Sequence, residues 1–383
     1  MNRPLRVLLV TASPERGGAE TVVEQLLTGL DRSRVEPSVV ALREGSFAEE
    51  LRTLRASLIS AGTLGQMRQL GRTLAVVKKL KAEIRRGEFD IVHNHGTLAH
   101  IVGGLAAWRA GVKAIHHVHD LYADTRSADS ILQHIALRIP AATIVAVSHS
   151  ARSRLLAVGA PYNRVRVVQN GVSLTPTTPA FESDGSTVVW CGRLQRWKGA
   201  HVFLEAAAMV RQHQPQARFW VVGGTMSGKE PDYAEELHRQ AAQPALEGAV
   251  TFTGHIADAR PYIAAADVVV HSSISPEPFG LVIAEGLAEG KPVVAFDEGG
   301  PAEMIESGRS GRLVAPGNVE AMAAAIEQLL QRPDLRARLA DGARQRSRHF
   351  GVEAMLRRMQ FAYEEVAGTQ RRPRMMSRGV PIS

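Results

Sequence analysis

The sequence predicts an α/β fold built as two doubly wound domains. Three observations predict it. The chain has 383 residues, too many for one ordinary hydrophobic core. A buried strand, a glycine turn and a helix open the chain at Leu5–Leu30, and the same series starts again at Thr187–Arg211. Between the two series, Ser173–Gly185 (SLTPTTPAFESDG) holds breakers and no periodicity, which marks a linker. The expected boundaries are 1–175 and 186–354 for the two domains, 355–367 for a last helix and 368–383 for a basic disordered tail.

In the first half, Leu5–Ala12 (LRVLLVTA) is a continuous aliphatic run, as in a strand buried on both faces. It leads into Arg16-Gly17-Gly18-Ala19-Glu20 and a helix to Leu30. The turn lacks G-x-G-x-x-G, so the dinucleotide fingerprint is missing. Val35–Leu42 is the next strand. Arg68–Arg86 has Leu70, Leu74, Val77, Leu80 and Ile84 at helical spacing among many cations, a basic amphipathic helix. Phe89–His95 and Lys113–Val118 are strands whose carboxyl ends carry His93 and His95, then His116, His117 and His119. Ligands of open α/β sheets sit at such ends. Capping histidines or a metal site would also explain them, although no cysteine or carboxylate cluster completes a metal set. Thr143–Ser148, a helix at Arg152–Val158 and the strand Val165–Gln169 lead to Asn170-Gly171-Val172.

In the second half, Thr187–Cys191 is a buried strand ending in Gly192-Arg193-Leu194-Gln195-Arg196-Trp197-Lys198-Gly199. Arg193 offers a planar fork and Lys198 a point charge near a helix N-terminus, a geometry that suits a diphosphate. Solvated loop cations are the plainer reading. Strands follow at Arg218–Val222, Val250–Thr253, Ala266–His271 and Pro292–Phe296. Helices follow at Val319–Leu330, Pro333–Leu339 and Met355–Val366.

The most informative stretch is Ser275–Pro292 (SPEPFGLVIAEGLAEGKP). Two prolines bracket Glu277, so the loop is rigid and non-helical. Helix formers begin at Leu281. A loop entering a helix presents unpaired N–H groups to an anion. Glu277 and Glu285 flank that point and suit neutral hydroxyls on either side of the anion. A sugar, a diphosphate and a ribose are one ligand with that order of groups.

The pattern E-P-F-G-L-x-x-x-E resembles the E-x7-E signature of retaining glycosyltransferases of the GT-B fold, nearest to glycosyltransferase family 4, the "group 1" glycosyltransferases. The resemblance runs from Gly17 to about Val366. It implies two Rossmann-like domains facing a central cleft, with the last helix crossing back to the N-terminal domain. It implies a nucleotide-sugar donor bound by the C-terminal domain and a hydroxyl acceptor bound by the N-terminal one. Glu277, Phe279 and Gly280 would meet the donor sugar and Glu285 the ribose. Arg193, Lys198, Gly18, Gly280 and Leu281 would hold the diphosphate. His119 would face the sugar, so that His119 and Glu277 are the expected catalytic pair. Gly17, His95 and Asn170 would lie on the acceptor side. Gly254-His255-Ile256 would border the base, and Gly299-Gly300 and Glu303 also match. The family usually has Asn-Gly-Val-Asp where this chain has Ser173, which weakens whatever contact that aspartate makes. The family retains anomeric configuration. No cofactor and no metal are expected, since cations sit at the diphosphate and no DxD pair is evident.

Composition excludes several classes. Hydrophobic content of 45% with 22% charged residues is globular. No apolar run approaches the ~20 residues that span a bilayer, and the N-terminus lacks a signal-like segment, so a cytoplasmic location is expected. Cys191 is the lone cysteine, which excludes an internal disulfide. The net charge is +8 and the pI about 10.0. Aromatics are 5% and do not interleave with the arginines, which argues against nucleic acid. The basic helix 68–86 instead suggests peripheral contact with an anionic membrane and a lipid-linked acceptor. A soluble acceptor, aminocyclitol-like or another natural product, is the alternative. A GT-B sugar-nucleotide epimerase is a more distant one. A solute-binding protein and a nicotinamide dehydrogenase fit less well.

Overall fold

The computed structural model describes residues 3–53, 57–58, 70–122, 127–225 and 230–368. The first lobe holds β1 (Leu5–Thr11), α1 (Gly18–Gly29), β2 (Val35–Ala41), α2 (Ser46–Thr53), β3 (Ser57–Leu58) and α3 (Leu70–Arg86). It continues with β4 (Ile91–His95), α4 (Thr97–Ala110), β5 (Lys113–Val118), α5 (Ala128–Arg138), β6 (Thr143–Ala146), α6 (His149–Ala157) and β7 (Val165–Val167). The strands form one parallel sheet in the order β3-β2-β1-β4-β5-β6-β7.

The second lobe repeats the plan. It comprises β8 (Thr187–Cys191), α7 (Ala200–His213), β9 (Arg218–Val222), α8 (Pro231–Ala241), β10 (Val250–Phe252), α9 (Arg260–Ala265) and β11 (Val268–His271). Then come α10 (Leu281–Ala288), β12 (Val293–Phe296), α11 (Gly300–Met304), β13 (Gly311–Val314), α12 (Val319–Gln331), α13 (Pro333–Ser347) and α14 (Val352–Gly368). Its parallel sheet runs β10-β9-β8-β11-β12-β13. Each order reverses once, between β1 and β4 and between β8 and β11. Those reversals open the crevices where doubly wound sheets bind ligands.

Both sheets are covered on both faces, as the unbroken aliphatic strands require. In the first lobe Val7, Leu9 and Ile91 pack with Leu26 of α1 and with Met355, Met359 and Tyr363 of α14. The last helix therefore crosses back and completes the first core. The opposite face packs on α3 and α4 through Val77, Leu80, Ile84, Val102 and Ala106. This narrows the reading of the basic helix. Its stripe at Val77, Leu80 and Ile84 is core, and Leu74 alone of the described stripe positions is exposed. Only the charged face, with Lys78, Lys79, Arg85 and Arg86, is left to meet a membrane. Residues 68–69 and the basic tail from 369 lie outside the described residues.

The crossing between lobes is tied by backbone. Val172 N–H donates to Phe350 O at 2.8 Å, and Val352 N–H donates to Val172 O at 2.9 Å. The Gln25 side chain donates to Gly171 O at 2.9 Å. Glu303 of α11 accepts from the N–H of His149, at 2.8 Å, and of Ser150, so one lobe caps a helix of the other. Among the described residues no helix is long and apolar enough to cross a membrane.

The Glu303 cap gives a test of lobe coupling. Losing such a cap costs about 1 kcal/mol. Glu303→Ala is expected to lower the free energy of unfolding by about that much, read as a shift of the denaturant midpoint. The amides of His149 and Ser150 should also exchange faster, with the second lobe unchanged by hydrogen-exchange mass spectrometry.

Candidate active site

The stretch after β11 is shaped by close approach. Gly280 lies at φ +98°, a left-handed conformation that glycine adopts without strain, and it serves as the N-cap of α10. Gly300 N–H donates to Glu277 O at 2.8 Å. A Cβ on Gly300 would stand 2.1 Å from Phe279 O, so only glycine lets α11 press on this loop. The first N–H groups of α10, from Leu281, have no acceptor within the helix. They open into the space between the lobes.

Lys198 ends a single 3-10 turn, Arg196–Lys198, after β8. Its ammonium pairs with Glu277 Oε2, and their side chains are 17% and 10% exposed. Glu277 Oε2 also meets His271 Nε2 at 3.3 Å and Ser273 Oγ at 3.4 Å. Burial works to raise the Glu277 pKa, but the ammonium and His271 win and hold it well below the usual carboxylate range. The Lys198 ammonium also lies 4.2 Å from the Trp197 ring centroid. The exposed Arg193 reaches toward the first lobe: a Cβ on Gly17 would lie 4.0 Å from its Nη1. Gly18 abuts Leu281, its virtual Cβ being 3.0 Å from Leu281 Cδ1. Glu20, 7% exposed, is pushed up by burial while Arg193 opposes the shift.

Glu285 faces the same space from one turn into α10. Burial raises its pKa to about 7, with Arg260 acting against the shift and Asp258 and Glu289 adding to it. A neighbouring cavity of about 1020 Å³ is lined by Gly192, Gly223, Gly224, His255 and Ile256. It is large enough for a nucleoside.

On the first lobe, His95 Nδ1 lies 3.0 Å from His119 Nε2. His93 Nδ1 meets Tyr363 Oη at 2.8 Å. His116 stacks on His100 on the other face of the sheet. Burial lowers the pKa of His93, His95, His116 and His117 well below the ordinary histidine range, so these rings are neutral. Asn170 is buried, and its Oδ1 has no hydrogen-bond partner.

One cleft of about 1610 Å³ is lined by Gly17, Gly18, His95, His119, Asn170, Arg193, Lys198, Glu277, Phe279, Gly280, Leu281 and Glu285. These are the twelve residues singled out in the sequence, and folding brings them to one space. Phe279 lines the cleft without its ring. Its ring is turned into the core, 6.0 Å from the Phe350 ring centroid, so its backbone is what the cleft meets. Sequence reasoning missed Arg43 and Thr73, and the apolar edge made by Ile131, Leu132 and Ile135 of α5. It also missed His271, whose position at a strand's carboxyl end was a usable signal.

The Lys198–Glu277 pair predicts a stability signature. Removing one partner of a buried pair costs about 3–5 kcal/mol. Lys198→Met should lower the denaturant midpoint accordingly at pH 7, and Glu277→Gln added to it should restore part of the loss. The folded carboxyl pKa is depressed, so the pair's contribution is present above about pH 4.5 and fades as pH falls through the folded value. The Lys198→Met penalty should therefore shrink on acidification.

Residues 16–175 match the family model described as Glycosyltransferase Family 4, and residues 185–332 match Glycosyl transferases group 1. A D-inositol 3-phosphate glycosyltransferase of Catenulispora acidiphila is 32% identical over 73% of this chain and 71% of its own. The lipopolysaccharide core biosynthesis glycosyltransferase LpsE of Rhizobium meliloti is 40% identical over 43% of this chain and 44% of its own. The crystal structure of Anabaena HepE in complex with UDP-glucose superposes with a TM-score of 0.81 at 27% identity, covering 94% of this chain and 100% of that one. The chain belongs to the group 1, family 4 glycosyltransferases, and its two facing Rossmann-like lobes are the GT-B fold.

Proposed function

We propose that this glycosyltransferase moves a sugar from a nucleotide-diphosphate sugar to a hydroxyl acceptor with retention of anomeric configuration, in glycan, glycolipid or cell-envelope polysaccharide assembly. The observation that carries the reading is the convergence of Arg193, Lys198 and the α10 N-terminus on one inter-lobe cleft, with a carboxylate on either side. The UDP-glucose complex of the structural neighbour supports a uridine diphosphate donor.

In this mechanism the bond between the anomeric carbon and the leaving phosphate oxygen breaks. Negative charge grows on the diphosphate while the sugar becomes oxocarbenium-like. Arg193 and the α10 N–H groups stabilise that charge, and such preorganised donors are usually the largest catalytic contribution. With cations already there, the transfer step requires no metal at the diphosphate. The acceptor oxygen attacks from the same face, and its proton passes to the leaving phosphate oxygen. Glu277, kept ionised by Lys198, accepts hydroxyls of the donor sugar. A carboxylate so firmly paired is a weak nucleophile and a weak base, which fits a mechanism without a covalent enzyme intermediate. His119 positions the sugar, Glu285 accepts the ribose hydroxyls, and Asn170 with His95 faces the acceptor.

Ile131, Leu132 and Ile135 expose apolar surface at the cleft edge. They support an acceptor with an apolar part, lipid-linked at the cytoplasmic face of a membrane. The polyol acceptor in the name of the Catenulispora acidiphila relative supports a second reading, a small soluble hydroxyl acceptor met by Arg43.

Two experiments test the donor site. UDP-, GDP-, ADP- and dTDP-sugars would be screened for thermal stabilisation. A ligand at a hundred times its Kd adds about 2.7 kcal/mol. A shift with UDP-sugars is expected, and Arg193→Ala should lower turnover by a hundredfold or more, about 3 kcal/mol. No shift with any of the four would remove the donor assignment. The second experiment follows Kd against pH. Ribose hydroxyls donate to an ionised Glu285, whose free pKa is about 7. UDP should bind more tightly as pH rises from 6 to 8, and Glu285→Gln should flatten that dependence.

A further inference from the structure

We propose that His93, His95 and His117 form a binding site for one borderline divalent transition-metal ion, Zn²⁺ or its analogues, buried in the first lobe beside the cleft. The strands place the three side chains on one face. His93 and His95 are two residues apart on β4, and His95 pairs in register with His117 of β5. All three side chains are buried, with residue exposures of 0%, 2% and 0%. One ring nitrogen from each lies within 4.8 Å of the others.

The hydrogen bonds assign the nitrogens. His93 Nδ1 is taken by Tyr363 Oη, and His95 Nδ1 by His119. Their Nε2 atoms have no partner, and neither nitrogen of His117 has one. Three buried imidazoles thus each keep an unused nitrogen, while outer partners orient two of the rings. Metal-ligating histidines carry this second layer of support, which fixes the tautomer and the ring. Zn–N distances of about 2.0–2.1 Å require ligand nitrogens roughly 3.3 Å apart in a tetrahedron. Binding therefore draws the nitrogens inward by side-chain rotation and leaves the strands in place. Thr11 pairs in register with His95 on β1, and its hydroxyl is also buried without a partner. It is positioned to hold a water in the fourth place. Three neutral nitrogens and no carboxylate select Zn²⁺, Co²⁺, Ni²⁺ or Cu²⁺ over Mg²⁺ or Ca²⁺. The bound ion would fix His95 and, through it, His119 at the cleft wall.

The test uses the full chain without a histidine tag, stripped with chelator. Co²⁺ titration is expected to develop the intense visible bands of tetrahedral cobalt, saturating at one equivalent, and Zn²⁺ to displace them. Zn²⁺ should raise the unfolding temperature of the stripped protein. Tyr363→Phe, which keeps the core and removes one orienting hydroxyl, should weaken Zn²⁺ binding by about tenfold. His117→Asn should abolish the cobalt bands. His116→Asn, on the opposite face, should keep them. No equimolar cobalt spectrum in the wild type would overturn the proposal and leave a stack of neutral histidines. So would an unchanged spectrum in a folded His93→Gln/His117→Asn double variant.

Discussion

The site depends on the buried contact between Lys198 and Glu277. These residues sit on loops leaving β8 and β11, the two strands that flank the reversal in the second sheet. Their pairing fixes the separation of those loops. The Glu277 carbonyl also receives Gly300 N–H from the loop after β12, so three strand ends converge on one residue. A desolvated carboxyl group with no cation beside it would take up a proton, turning one of its acceptor oxygens into a donor. Lys198 prevents this, but part of its charge is then committed to Glu277. Arg193, exposed on the same loop, reaches instead toward Gly17 of the first lobe.

The contact between lobes makes the cleft one site. Gly18 meets Leu281 directly, and Arg193 approaches Gly17, so the glycine loop of the first lobe closes over the N-terminus of α10. A side chain at position 18 would push on Leu281 at the point where the helix N–H groups emerge. Gly18 is thus explained by close approach across the cleft, whereas a Cβ on Gly17 would meet Glu20 Oε2 of its own lobe at 3.1 Å. Behind it, the Val172 exchange with Phe350 and Val352 and the Glu303 cap hold the lobes at the back.

The sequence made this arrangement partly legible. Aliphatic runs located most strands because parallel strands are buried on both faces, and glycine and proline placed the loops that end them. The family motifs then named the cleft residues. Other features carried no pattern. Helix α4 spreads its apolar residues around its axis and contains Gly103 and Gly104, so it shows no 3.6-residue stripe. Its glycines allow contact with Asn94 and with His116 and Ile139, a packing fact that periodicity does not encode. Phe279 looked like a ligand contact because of its motif, whereas the positive φ at Gly280 and the pressure of Gly300 turn its ring inward. For the basic helix α3, amphipathicity tells that a stripe is buried without telling that the first sheet buries it.

The histidines show how the end of the chain completes the beginning. Tyr363 lies on α14, yet its hydroxyl meets His93 in the centre of the first sheet. From there His93 stacks beside His117, and His95 bonds His119 at the cleft. Met355, Met359 and Tyr363 of the same helix fill the core between β1, β4 and α1. The first lobe therefore lacks a closed core without a helix that the chain makes only after the second lobe is finished. The two lobes are two sheets but one folding problem. The row of neutral imidazoles in the first lobe connects the last helix to the wall of the cleft.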